Sequence, residues 1–112
     1  STDVIAVEDP DTAAAVRFIR EHACDGVRVR DVAEHCLLSR TELKRRFRRF
    51  LGRSVLDQIV RDRVKRAAQL LADTELPIAQ IARLSGFSSQ QRMGVVFRAK
   101  LGITPAQYRK QF

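Results

Sequence analysis

Residues 40–49 hold six cations, Arg40, Lys44, Arg45, Arg46, Arg48 and Arg49, against one acid, Glu42. Guanidinium and ammonium groups at that density suit a polyphosphate, and Arg can also form paired hydrogen bonds to a guanine edge. A solvated helix face is the bland alternative. The cations are not spread evenly: residues 1–26 carry −4, residues 27–39 carry 0, residues 40–66 carry 11 − 3 = +8 and residues 67–112 carry +4, which sums to the net +8 of the 112-residue chain. Concentrated positive charge and a pI near 10.7 point to a polyanionic partner.

Other chemistries have little to work with. Only His22 and His35 could act as imidazole bases, and there is no HExxH, no GxSxG and no glycine-rich phosphate loop, so no catalytic residue is assigned and no enzyme is expected. His22, Cys24, His35 and Cys36 do not form a CxxC frame, so neither a metal site nor a cofactor is expected, and both cysteines read as reduced thiols among apolar neighbours. The apolar runs are far shorter than the ~20 residues of a membrane span, no signal-peptide pattern opens the chain, and a cytoplasmic protein is expected. At 45% hydrophobic residues a chain of this length can bury roughly two thirds of its unfolded surface and needs no metal or disulfide staple.

The elements that must position the cations are helices. Asp9-Pro10-Asp11 opens the first, with Pro10 suited to the first helical position, and Asp25-Gly26 closes it after a stripe of Val16, Ile19 and Ala23. A short helix near Arg30 to Cys36 buries Val32, Ala33 and Cys36. Ser39-Arg40-Thr41-Glu42 spells a capping box, and Leu43, Phe47, Phe50 and Leu51 make one apolar stripe that ends at Gly52. The opposite face carries Thr41, Arg45, Arg48 and Arg49, flanked by Lys44. A long helix follows from Val55 to Ala72 with Leu56, Ile59, Val60, Val64, Ala67, Leu70 and Leu71 as its apolar set, about 27–30 Å in length. Ile78, Ile81 and Ala82 mark a short helix, Ser85-Gly86-Phe87 a turn, Ser88 or Ser89 the cap of a helix with Met93, Val96, Phe97 and Leu101 buried, and Thr104-Pro105 the cap of a last helix through Tyr108 and Phe112.

The chain repeats itself. Val32-Ala33, Ser39, Phe47, Leu51-Gly52 and Ser54 recur as Ile81-Ala82, Ser88, Phe97, Leu101-Gly102 and Thr104, offset by 49 residues before the capped helix and 50 within it. Each copy is a short helix, a tight turn and a capped second helix, the helix-turn-helix pattern. In that motif the second helix enters the major groove, and a connector of about 30 Å approaches the 34–36 Å between adjacent major grooves on one DNA face. Two merely periodic helical hairpins remain the alternative.

Phe47 with Gly52, then Arg63, Ala67, Leu70-Leu71, Ile78, Ile81-Ala82, Gly86-Phe87, Phe97, Gly102, Thr104-Pro105 and Tyr108-Arg109 resemble the signature positions of AraC/XylS-type transcription regulators. The resemblance covers residues 10–112 and implies an all-α, seven-helix domain with two helix-turn-helix subdomains joined by a long connecting helix. It implies residues 1–8 as a linker from a preceding sensor, 9–53 and 74–112 as the subdomains, and 54–73 as the connector. The stretch STDVIAVEDPDTAAAVRFIREHAC resembles the junction in the xylose-operon regulators of this family, which implies an upstream sugar sensor with xylose as the suspected effector. The chain starts at Ser1 and its single methionine, Met93, is internal, so it is expected to be a fragment, with a sensor, an enzyme or an oligomerisation domain upstream. An operator in double-stranded DNA is the implied partner, with RNA polymerase contacted by the whole regulator when it acts as an activator.

The expected DNA-binding residues are Ser39, Arg40, Thr41, Lys44, Arg45, Arg48 and Arg49 in the first copy and Ser89, Gln90, Gln91, Val95 and Arg98 in the second. Arg40, Thr41, Lys44 and Arg45 are expected at base edges, and Arg48 and Arg49 at phosphates. Gln90 and Gln91 match polar contact positions of the family, Val95 suits a thymine methyl, and Arg98 suits the backbone. Lys44 and Arg45 correspond to Gly94 and Val95, so the two readers are unequal and the first is expected to carry most base specificity. Met93 and Arg92 depart from the family's usual residues. Arg63 falls at a position tied into the fold. A sequence-independent basic nucleic-acid module is the rival function, although with no Trp and one Tyr the chain lacks stacking platforms for single strands.

Overall fold

The computed structural model describes residues 8–112; the proposed linker 1–8 therefore lies almost wholly outside the described residues. Seven α-helices and no strands occur there: α1 (Pro10–His22), α2 (Val29–Cys36), α3 (Arg40–Leu51), α4 (Val55–Asp73), α5 (Ile78–Leu84), α6 (Gln90–Leu101) and α7 (Pro105–Gln111). A 3-10 turn, Ala23–Asp25, continues α1 before Gly26 adopts the left-handed conformation that ends it. Packing separates the described residues into two compact units, one holding 8–22 and Gly26–Ile59, the other holding Ala23–Asp25 and Val60–Phe112.

In the first unit α1, α2 and α3 pack on one another. Their sequence pattern explains why: Ala13, Ile19, Val32, Leu43 and Phe47 are each at most 0–1% exposed, and all lie on the apolar stripes of their helices. Phe18 stacks on His35 at 4.1 Å and lies 4.5 Å from His22, so both imidazoles serve as packing partners. Pro10 takes the first helical position, and Asp9 accepts the Thr12 hydroxyl.

In the second unit Val64, Ala67, Leu70, Leu71, Ile81, Ala82, Phe87, Met93 and Phe97 form one buried cluster, with Tyr108 packed against it edge-on to Phe97 at 5.5 Å. Met93 fills its place there with no exposure at all. Thr104 and Gln107 close a reciprocal capping box at the start of α7. Arg63, pulled from solvent and lowered in pKa by burial, donates from Nε to the Ala23 carbonyl at 2.7 Å, and Arg109 reaches the Leu71 and Thr74 carbonyls.

Three sequence expectations change and one open alternative is decided. Leu56 (58% exposed) and Leu101 (45%) lie outside the core: Leu101 falls at the solvent edge of its helix's stripe, whereas Leu56 lies within its stripe but the first turns of α4 bury a different face, that of Val55, Gln58 and Ile59. Cys36 is half-buried, as is Cys24, with both thiols free and raised in pKa by desolvation. Ser89, not Ser88, caps α6, so the extra residue of the second copy sits in the turn before the cap. The box expected at Ser39-Glu42 forms only in its first half: Ser39 Oγ accepts the Glu42 amide at 3.0 Å, but the Glu42 carboxylate turns to two arginines instead.

Candidate nucleic-acid interface

The first reading face is built on α3. Ser39 fixes its start, Gly52 at φ +68° ends it by donating its backbone N–H to the Arg48 carbonyl, and Leu43 and Phe47 anchor its inner side with no exposure. That rotation leaves Arg40, Thr41, Lys44, Arg45, Arg48 and Arg49 all exposed, together with the cap Ser39. Arg40, Lys44 and Arg48 make no side-chain hydrogen bond or ion pair among the described residues, and Arg49 lies over the Phe50 ring at 5.2 Å. Their charges are therefore uncompensated locally. Arg40, Thr41 and Lys44 line an open groove with Val29, Ser54 and Val55, bringing the start of α3 together with that of α4. Arg40 also borders a second groove with Arg30, Ala33, Glu34 and Leu38.

Arg45 differs from its neighbours. Its Nε and Nη2 donate to the two Glu42 oxygens at 3.0 and 2.7 Å, and Arg46 Nε donates to Glu42 Oε1 at 2.9 Å. Those two guanidinium groups hold the Glu42 carboxyl at about 2, far below its ordinary range, so it is ionised throughout the neutral region. Arg46, half-buried, continues to Asp9 and Asp11 at 3.0 Å each. The Glu42 pairs were legible as i, i+3 and i, i+4 spacings. The bonds from Arg46 back to Asp9 and Asp11 span 37 and 35 residues and leave no local trace in the sequence.

The second face is built the same way with different chemistry. Ser89 Oγ accepts the Arg92 amide at 3.0 Å, Met93 and Phe97 anchor the helix, and Gly102 ends it. Gln90, Gln91, Val95 and Arg98 are exposed with Ser89. Charge falls from 6 − 1 = +5 on α3 to +3 on α6. Both faces present donors along one side of a rigid helix, the arrangement that phosphate and base-edge recognition needs.

A helix-turn-helix domain family matches residues 32–111. The xylose operon regulatory protein of Escherichia coli (strain K12) is 34% identical over 109 residues, covering 97% of this chain and 28% of that protein, so the chain spans little more than a quarter of that relative. A transcriptional regulator with an AraC-type DNA-binding domain from Chromobacterium violaceum superposes with a TM-score of 0.89 at 31% identity, covering 95% of each chain. The DNA-binding domain of AdpA, a global transcriptional factor solved in complex with a target DNA, superposes with a TM-score of 0.84 at 31% identity over 89% of this chain and 90% of that one. With two capped helix-turn-helix copies and a family match over most of its length, this chain belongs to the AraC-type family of helix-turn-helix DNA-binding domains in transcription regulators.

Proposed function

We propose that the chain reads a specific double-stranded operator through two successive major grooves, α3 in one and α6 in the next. The observation that carries this reading is the α3 face, where Arg40, Lys44 and Arg48 stand exposed and, among the described residues, unpartnered opposite a fully buried Leu43 and Phe47. Its repetition at α6, 50 residues on, supplies the second reader. The 19-residue α4 between them is about 28 Å long, near the ~34 Å between successive grooves. Residues 9–53 and 74–112 act as the reading subdomains and 54–73 as their connector. Arg40, Thr41, Lys44 and Arg45 meet base edges, Arg48 and Arg49 hold phosphates, and Ser89, Gln90, Gln91, Val95 and Arg98 make the lighter second set of contacts.

The names of the xylose-operon relatives support a sugar-responsive setting for this reading, which we propose to extend to the promoter. A regulator carrying this domain responds to a sugar, with xylose the effector suggested by the regulators of xylose operons, and meets RNA polymerase at its promoter.

Selection from a randomised duplex library at about 150 mM salt tests the reading, because low salt inflates the phosphate contribution and hides specificity. Two short motifs with centres about 10 base pairs apart are expected. Enrichment of a single motif removes the tandem geometry, and no enrichment leaves a general basic binder.

A further inference from the structure

A carboxylate on a face that meets phosphates opposes binding unless it does something a neutral residue cannot. Glu42 stands in that position as the one acid of α3. It is also braced at two points: its amide donates to Ser39 Oγ at 3.0 Å, and its Oε1 accepts Arg46 Nε at 2.9 Å, with Arg46 itself clamped by Asp9 and Asp11 at the start of α1. The third connection faces outward. Glu42 grips Arg45 along one edge of the guanidinium, through Nε and one Nη2 hydrogen, at 3.0 and 2.7 Å.

A guanidinium has five N–H donors in a fixed plane. With Nε–H and one Nη2–H committed to the carboxylate, the end edge offers the other Nη2–H beside one of the two Nη1–H groups. That pair has the spacing of guanine O6 and N7. Arg45 keeps 58% of its side-chain surface open to solvent although it is held, whereas Arg40, Lys44 and Arg48 carry no such brace. A long side chain that is already ordered loses less entropy on docking.

We infer that Glu42 is a positioning residue for specificity: it presets the fork of Arg45 to read one guanine, giving up some general attraction to DNA in exchange for discrimination at that base. The inference rests on the major-groove reading of α3 above. It makes the acid and the cation a single reader, so their removal has coupled effects at one operator position.

The test is the same library selection run on the unaltered chain, E42Q, E42A, R45A and E42Q/R45A, with affinity for an unrelated duplex measured alongside. R45A relaxes preference at one guanine by about 5- to 150-fold. E42Q and E42A relax that same position by about two- to twelvefold, the cost of ordering one free side chain, and bind the unrelated duplex more tightly because a negative charge is gone. In the R45A background E42Q changes nothing further at that position. A purely structural Glu42 would instead weaken binding to both duplexes together. Relaxation at a different position, which would make the carboxylate itself a reader of a cytosine amino group, overturns the inference, as does unchanged preference. A sequence-blind unaltered chain overturns the major-groove reading and this inference with it; a selective chain indifferent to E42Q overturns this inference alone.

Discussion

The two turns of the repeat make the same bend with different residues. In the first, the Leu38 amide reaches back to the Ala33 carbonyl at 3.0 Å and the Leu37 amide to Glu34; in the second, Phe87 reaches Ala82 at 2.9 Å and Gly86 reaches Arg83. The pivot is left-handed in both, Leu37 at φ +55° and Gly86 at φ +86°. What differs is the space around it. Leu37 is 92% exposed, whereas a Cβ on Gly86 would lie 2.9 Å from the Ala23 carbonyl oxygen, 2.9 Å from the Cys24 Cα and 3.1 Å from Arg63 Nε. Bond geometry alone tolerates a side chain at this pivot at modest cost, and it is tertiary packing that makes glycine compulsory in the second turn.

The sharpest way to break that contrast is Gly86→Ala. Strain in the left-handed region costs about 1–2 kcal/mol, and intrusion into packed backbone adds about 1–3 kcal/mol. A loss of about 3 kcal/mol is expected, read as a drop of roughly 10–20 °C in thermal unfolding. Gly52→Ala is the control: φ is +68° but nothing lies within 4 Å of the added carbon, so only the strain of about 1 kcal/mol applies. Equal losses in the two variants would show that the close approach at Gly86 relaxes freely.

The reading faces provide the next contrast. Lys44→Ala removes from the richer face a cation that has no side-chain partner among the described residues and is proposed to meet a base edge; weakening on every duplex alike, with the salt slope shallower by about one charge, would put it on a phosphate instead. If it reads a base, the loss concentrates at one position and amounts to about 1–3 kcal/mol. Gln91→Ala on α6 should leave the salt slope unchanged and cost less. A larger loss from Gln91→Ala than from Lys44→Ala reverses the ranking of the two readers.

The sequence shows this asymmetry well, because exposure on a helix follows from rotation about its axis. Once Leu43 and Phe47 are assigned inward, Arg45 and Arg48 must face out, and the same rule places Gln91 and Val95. Capping residues announce their helices for the same local reason, which is why Ser39 and Thr104 stand where the sequence puts them. Local rules fail where a side chain chooses between partners. Glu42 was free to close a box on its own helix start, yet two guanidinium groups outbid a single amide, and one of them is held by acids more than thirty residues earlier. Leu56 and Leu101 mislead in another way: Leu101 stands at the margin of its stripe, and the buried face of α4 turns along the helix, from Val55, Gln58 and Ile59 in its first turns to Val64, Ala67 and Leu71 further on, so that an apolar residue can satisfy the periodicity without being covered.

At the ends of the short helices the copies differ again, with Cys36, the last residue of α2, matched by Ser85, the C-cap of α5. The Ser85 hydroxyl is fully buried and lacks a hydrogen-bond partner among the described residues, while the Cys36 thiol, half-buried, approaches the Asp11 carbonyl at 3.8 Å. An unsatisfied buried hydroxyl costs about 1–3 kcal/mol, partly offset by the packing its oxygen supplies. Ser85→Ala should therefore raise stability by about 1 kcal/mol in chemical denaturation, with the slope unchanged. A destabilised variant would mean that the hydroxyl is satisfied in solution, most simply by a bound water.

The smallest effect tests the turn comparison from its other side. Leu37→Gly relieves about 1–2 kcal/mol of left-handed strain but loosens the unfolded chain by about 0.5–1 kcal/mol, and the nearly naked Leu37 side chain has little burial to lose. A gain of about 0.5 kcal/mol is the expected balance, opposite in sign to Gly86→Ala at the matching pivot. Since the first turn then carries the residue of the second, equal turn chemistry would leave the two copies distinguished by their surroundings and reading faces. A clear loss on Leu37→Gly would instead show that this exposed leucine contributes contacts to the folded state, and the two pivots would then differ in what they touch as well as in the room they have.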